Sequence, residues 1–192
     1  MRLLYISSSH GRGMDLALSN VNCSINVMPL WLPHGRVGTI HRLVDNEKTK
    51  ICSFDPDFII IHLGHNDVNH HPQENPHPTS VLVMLDGVVE LVDRLKALVP
   101  LAIVFFSAIF PRCSTPSFVN ESCRRYNQLA HKIVPSSKKK GLEVIKSPSE
   151  LWTSRTRGNK DFYMHDGLHL NEEGKRAVAT KWLDTIFYMY YY

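Results

Sequence analysis

The stretch DFIIIHLG, residues 57–64, decides the fold of this 192-residue chain. Its Phe and Ile residues run without polar alternation, which indicates a strand that is buried on both faces. Strands of this kind occupy the centre of parallel sheets whose two faces are covered by helices. We therefore expect residues 57–64 to form a central strand of a parallel sheet.

Strands and helices alternate on either side of this segment. Apolar runs typical of buried strands occur at 2–7, 25–32, 101–110 and 142–147. Residues between the first two strands are compatible with a helix, and helical periodicity is found at 38–50, 80–99, 118–134 and 171–187, the last with Asn171 as its expected cap. This alternation predicts one domain over residues 1–192, a three-layer α/β/α sandwich of flavodoxin-like type around a mostly parallel sheet.

Composition is that of an ordinary globular domain, with 43% hydrophobic and 21% charged residues. No apolar run reaches the length of a membrane span, and the first residues lack the features of a signal peptide. The net charge is +4, but only SKKK at 137–140 concentrates basic residues, which predicts no more than weak attraction to nucleic acid or acidic lipid. Four cysteines without a CxxC pair favour free thiols in a reducing compartment, so we expect a cytoplasmic protein.

Polar segments follow the expected strands, at the edge where open α/β sheets bind ligands. Asp166 and His169 stand three residues apart, so the carboxylate can orient one imidazole nitrogen while the other faces the cleft. Asn66 follows the central strand and is a candidate amide donor, and Gly38 offers a backbone N–H with no Cβ beside it. A serine of SSSHGRG, residues 7–13, would supply the alcohol that nucleophilic catalysis requires.

Each of these segments also has a plainer interpretation. Serines often cap helices, GHND is a typical turn sequence, and DGLH would also suit a loop before a helix. Their joint placement at strand ends and helix starts favours a catalytic arrangement over four independent structural roles.

The order SSSHGRG, GRVG, LGHND and DGLH resembles the SGNH, or GDSL-type, hydrolases over nearly the whole chain. The resemblance implies a serine esterase acting on a small ester or lipid, with Ser9 as nucleophile, His169 as base and Asp166 as its partner. It implies an oxyanion hole formed by the Ser9 backbone N–H, Gly38 and Asn66, and we expect neither cofactor nor metal. Within this family the chain is most similar to the esterase domain in the first open-reading-frame protein of LINE-type retrotransposons, which implies a domain cut from a longer protein.

One position departs from the family pattern. Ser7 and Ser8 stand where the family has Gly-Asp before the nucleophile, so the turn must be made by residues that carry a Cβ. The segment His10 to Gly13 favours Ser9 over Ser8 as the nucleophile.

Two other functions compete with the esterase. A metal site would use the histidines around one loop: His62, His65, His70, His71 and His77. They lack the spacing of known metal motifs. A catalytically weak or inactive module of the same fold would instead bind lipid or RNA, which the substituted Ser7-Ser8 pair and the SKKK segment favour.

Aromatic residues leave two further questions. Five of them would either line an acyl pocket or pack in the core, with core packing favoured: Phe110, Phe118, Trp152, Phe162 and Tyr163. The ending FYMYYY, residues 187–192, is compatible with a terminal strand, a membrane-touching patch or a junction to a further segment.

Overall fold

A computed structural model describes residues 1–69, 78–113, 117–136, 142–154 and 157–191. Its centre is a five-stranded sheet in the order β2-β1-β3-β4-β5, in which every neighbouring pair is parallel. The strands are β1 (Arg2–Ser7), β2 (Asn26–Trp31), β3 (Phe58–His62), β4 (Ile103–Ser107) and β5 (Leu142–Ile145). The central position of the 57–64 segment is confirmed, since β3 lies third of the five.

Seven helices are found among the described residues: α1 (Met14–Val21), α2 (Val37–Asn46), α3 (Lys48–Phe54), α4 (His65–Asn69), α5 (Pro78–Leu98), α6 (Ser117–Ser136) and α7 (Glu172–Tyr191). A small antiparallel pair, β6 (Trp152–Ser154) and β7 (Arg157–Gly158), lies between β5 and α7. The sequence did not predict α4 or this pair.

Alternate residues of each strand face opposite layers of helices. Leu4 and Ile6 of β1 lie in a core cluster with residues of α2, α3, α5 and α6. Leu3 and Tyr5 lie in a second cluster with residues of α1 and α7. Because side chains alternate along a strand, one continuous apolar strand supplies both cores. The three-layer α/β/α sandwich is confirmed.

Helix α7 begins beside the loop DGLH and includes most of the aromatic ending. The side chain of Asn171 accepts a hydrogen bond from the Gly174 N–H at 2.9 Å, which confirms it as the cap of this helix. At the other end, Tyr190 packs on Phe58 and Phe105 with ring centroids 5.6 and 5.9 Å apart. The ending through Tyr191 is therefore helical and not a terminal strand.

Gly64 makes the sharp turn from β3 into α4. Its φ of +118° lies in a region that residues with a Cβ rarely adopt, and a Cβ here would lie 2.9 Å from the ring of Tyr126. Tyr126 is fully buried and has no room to retreat. A glycine at this position therefore lets Asn66 follow β3 after only a few residues.

We expect Gly64→Ala to lower the free energy of unfolding by about 3 kcal/mol, since backbone strain and overpacking against Tyr126 add together. Chemical denaturation of the purified variant measures this loss. Gly38→Ala is the matched control, because a Cβ at Gly38 meets no atom within 4 Å. We expect its free energy of unfolding to stay within about 1 kcal/mol of the original. Equal losses in the two variants would contradict the role assigned to Gly64.

Candidate active site

The loop after β1 begins with the substituted Ser7-Ser8 pair. Ser7 ends the strand, and its hydroxyl donates to the His62 carbonyl at 3.1 Å. Ser8 has extended backbone angles, φ −83° and ψ −159°, and a short 3₁₀ turn follows over Ser9–Gly11. Within the described residues the non-glycine positions with positive φ are His34 and Asp55, so Ser7, Ser8 and Ser9 need no left-handed backbone. A Cβ is therefore tolerated where the family has glycine.

Two positions in this loop require glycine: Gly13, because its φ is +76°, and Gly11, because neighbouring atoms come too close. A Cβ at Gly11 would lie 2.8 Å from the Ser7 Cβ and 2.9 Å from the ring of Tyr5, and Tyr5 is fully buried. The turn therefore folds back against its own strand, and this close approach holds the half-buried Ser9 at the end of β1.

Asp166 and His169 form the predicted pair. The His169 Nδ1 lies 2.6 Å from the Asp166 Oδ2, and the other carboxylate oxygen accepts from the backbone N–H groups of Leu168 and His169 at 2.8 and 3.0 Å. Partial burial opposes ionisation of Asp166. The hydrogen bonds from the His169 ring and the two N–H groups outweigh it and lower the pKa of Asp166 to about 2. The carboxylate is thus ionised near neutral pH and leaves the His169 Nε2 as the free ring nitrogen.

The loop after β1 meets the loop that carries this pair. The ring of His10, the residue after Ser9, lies 5.3 Å from the ring of His169 between centroids. Sequence positions 9 and 169 are therefore brought to the same edge of the sheet, as the placement of their loops predicts.

Asn66 lies at this edge on the short helix α4. Its Nδ2 donates to the Gly35 carbonyl at 3.1 Å, and the next residue, Asp67, accepts from the Val37 N–H at 3.3 Å. One amide hydrogen of Asn66 is used by Gly35. The amide carries a second N–H, which is the group an oxyanion would use.

Gly38 is not the glycine that Asn66 bonds in the described residues. It lies in the exposed first turn of α2, and the glycine that Asn66 contacts is Gly35. Both glycines occur within HGRVG, and the sequence did not separate the glycine beside Asn66 from the one that enters the helix. An oxyanion role for Gly38 stays a prediction.

Three buried histidines lie beneath the site. His10 stacks on His65 with ring centroids 4.1 Å apart, and His62 lies 5.1 Å from His65. Burial lowers the pKa of His62 to about 3 and holds the pKa values of His10 and His65 well below the ordinary range. All three rings are therefore neutral near pH 7.

The sequence also offered residues for a metal site and for an acyl pocket, and those that the structure describes have other surroundings. His62 and His65 are two of the stacked rings, and within the described ranges no group of three or more His, Cys, Asp or Glu side chains is placed to hold a metal ion. His70, His71, His77 and the SKKK segment lie outside the described residues, as does the Phe118 side chain. The other aromatic candidates belong to the second core cluster, which contains residues of α1 and α7, or pack on it: Phe110, Trp152, Phe162 and Tyr163.

The helices of the described residues fall short of a membrane span. None of them combines the length and the apolar composition that a span needs.

The sequence matches a known protein family over most of its length. Residues 35–177 match the model of the GDSL-like lipase/acylhydrolase family, which is well over half of the chain. The chain belongs to this family. The match includes Asn66, Asp166 and His169 and begins after Ser9. No curated protein matches the chain.

Solved structures similar to this GDSL-like chain share its fold at low sequence identity. A protein from Streptococcus pneumonia, described provisionally as a platelet activating factor, has a TM-score of 0.75 at 18% identity over 95% of this chain and 82% of its own. The acetyl xylan esterase AlAXEase has a TM-score of 0.73 at 12% identity over 97% and 100% of the two chains. The lipase Lip_vut3 from a goat rumen metagenome has 0.75 at 10% identity over 96% of each chain. None of these findings bears on the narrower resemblance to retrotransposon proteins.

The buried histidines predict a marked acid sensitivity. An unfolded His62 binds a proton near pH 6.5, whereas the folded one does so near pH 3, so its stabilising contribution is present above about pH 6.5 and is lost as the pH falls toward 3. We expect His62→Phe, which keeps a ring against Phe110, to lose less stability in acid than the original chain. Below pH 6.5 its free energy of unfolding should fall less steeply, by up to about 1.4 kcal/mol per pH unit.

Denaturant titrations between pH 7 and pH 4 measure this slope. His165→Asn is the control, because His165 is exposed. An unchanged slope in His62→Phe would show that this ring is not buried in its neutral form.

Proposed function

We propose that this GDSL-like protein is a serine esterase that hydrolyses carboxylic esters through Ser9, His169 and Asp166. The observation that carries the proposal is the 2.6 Å contact between Asp166 and His169, set beside the Ser9 loop by the His10 ring. An ionised carboxylate on Nδ1 fixes the tautomer in which Nε2 accepts a proton, which is the arrangement that activates a serine.

The reaction proceeds in two acyl transfers. The His169 Nε2 takes the hydroxyl proton as the Ser9 Oγ bonds to the ester carbonyl carbon, and the carbonyl electron pair moves onto its oxygen. When this oxyanion collapses, the bond to the alcohol oxygen breaks and the departing alcohol takes the proton from His169. Water then attacks the acyl-serine in the same way, so the carboxylic acid leaves and Ser9 regains its proton.

The oxyanion would be stabilised by donors from the segments that follow three neighbouring strands, β2, β1 and β3. The Ser9 N–H comes from the loop after β1, and the second amide hydrogen of Asn66 comes from α4 after β3. Gly38 remains the third proposed donor, through its backbone N–H in the first turn of α2, where such groups lack a helical partner. Fixed donors of this kind lower the barrier most when they need no reorganisation.

We propose an acetyl, short acyl or lipid ester as the substrate class. The pair is open to solvent, with the His169 side chain 39% and the Asp166 side chain 44% exposed. Met164, which bonds the His169 carbonyl through its backbone N–H, exposes an apolar side chain beside the pair. This surface suits a shallow, partly apolar acyl group. The parent protein that we propose is a LINE-type open-reading-frame protein, on the sequence resemblance alone.

The first test is covalent labelling of the nucleophile. A fluorophosphonate forms a bond from the serine oxygen to phosphorus as fluoride leaves, so it marks an activated serine. We expect the wild-type chain to be labelled, Ser9→Ala to remain unlabelled, and intact-mass measurement to detect the adduct. Ser8→Ala is the matched control, and we expect it to keep the label.

Labelling that survives in Ser9→Ala would assign the nucleophile to another residue. A folded wild-type chain that takes no label would support the module that binds lipid or RNA without catalysis.

The second test concerns the oxyanion. We expect Asn66→Ala to lower kcat for a chromogenic acetyl ester by about 100-fold or more, because an amide donor to the transition state is lost. Steady-state kinetics measure the effect, and Asn26→Ala serves as the control because Asn26 is exposed at the start of β2. An Asn66→Ala enzyme with unchanged kcat would remove this side chain from the mechanism.

A further inference from the structure

His10 is a buried ring for which the proposed reaction has no use. It directly follows the nucleophile, it is only 9% exposed, and it lies between two other histidine rings. One is His65, stacked at 4.1 Å with an interplanar angle of 13°, and the other is His169 at 5.3 Å and 32°. His169 therefore has a ring packed beside it on the protein side.

The inner end of this stack is firmly anchored. The His65 Nε2 lies 3.0 Å from the Phe110 carbonyl oxygen and 3.1 Å from its N–H, so the ring is held to the segment after β4 in either tautomer. Arg112 donates to the His65 backbone carbonyl at 3.2 Å. His10 itself is held by the Ser8 hydroxyl, 3.3 Å from its Nδ1. The His10 ring is thus restrained from two sides before it meets His169.

Charge around His10 favours the neutral ring. The titratable and charged groups that face it are His62 from β3, His65 from α4, Arg112 from the segment after β4, and His169 from the loop before α7. Burial lowers the pKa of His10 well below its ordinary value, and His62, Arg112 and His169 lower it further against the opposing carbonyl of Leu168. A neutral ring does not repel the imidazolium that His169 becomes during turnover.

His169 needs a restraint beyond Asp166. Its side chain is 39% exposed, and one hydrogen bond to Nδ1 leaves the ring free to swing about that contact. A rigid aromatic neighbour removes this freedom.

We propose that His10 is a positioning residue for His169: its stacked ring forms the wall against which the catalytic imidazole rests while Asp166 holds Nδ1. The inference rests on the proposed esterase for its kinetic consequence, whereas the order of the Asp166–His169 contact is a property of the folded chain alone. The ring is the essential feature, so another aromatic residue should replace it and an aliphatic one should not.

Three variants test this role: His10→Phe keeps a ring, His10→Leu fills most of the volume, and His10→Ala removes both. We expect kcat for a chromogenic acetyl ester to fall about tenfold or more in His10→Ala and His10→Leu, with KM within about twofold of wild type. We expect His10→Phe to stay within about threefold of wild type in both constants. Thermal unfolding of each variant shows which are folded, and the kinetics of those are compared.

Proton NMR provides a readout that does not need turnover. The His169 Nδ1 proton shared with Asp166 should give a far-downfield signal in the wild type and in His10→Phe, and His10→Ala should broaden it through faster exchange with water. Wild-type kcat and a sharp signal in folded His10→Ala would overturn the proposal, as would His10→Phe losing as much as His10→Ala. A chain that takes no fluorophosphonate would end the esterase proposal, while the NMR comparison would still decide the role of His10.

Discussion

The pairing of β1 with β3 is the constraint on which the rest of the site depends. Their register sets Ser7 opposite His62, so both strands end at the same level and both following loops start from one edge. The Ser7 hydroxyl reinforces this level through its bond to the His62 carbonyl. The Ser9 loop and Asn66 thereby follow neighbouring strands whose relative position is fixed by backbone hydrogen bonds, a constraint that loops alone would not provide.

β1, β3 and β4 were predictable because each is a largely continuous apolar run, which is the pattern of a strand buried on both faces. The edge strands β2 and β5 are only partly buried, and their shorter apolar segments were recognised by their place in the alternation with helices. Helix α4 was not, because five residues are too few to show a 3.6-residue period, and HND is as typical of a turn as of a helix start. For the same reason the sequence placed Asn66 correctly after β3 but gave no indication that it would bond Gly35. Asp166 and His169 were predictable because their contact is local, whereas the contact of His10 with His169 joins residues 159 positions apart and depends on how α7 packs.

The Ser7-Ser8 pair shows why a motif has to be translated into backbone geometry. A glycine is required where φ is positive or where another atom comes too close, and Ser7 and Ser8 meet neither condition. Neighbouring atoms come too close for a Cβ four positions after Ser7, at Gly11, where the chain folds back on Tyr5. The substituted pair therefore needs no left-handed backbone, and it changes the chemistry of the loop, since the Ser8 hydroxyl that bonds His10 stands where the family has a carboxylate.

That change in chemistry is consistent with the electrostatics beneath the site. Arg112 is buried next to the histidines, and its charge disfavours a second cation on His10 or His65. Arg112 thus places one buried positive charge beside these rings, while the Asp166 carboxylate lies directly on His169. Because the attraction of Asp166 acts at 2.6 Å and the neighbouring rings are neutral, the positive charge that the proposed proton transfer would create is most favourable on His169. Two of these neutral rings, His62 and His65, are among the histidines that the sequence offers as metal ligands, and in the proposed reaction they and His10 would leave His169 as the histidine that carries the proton.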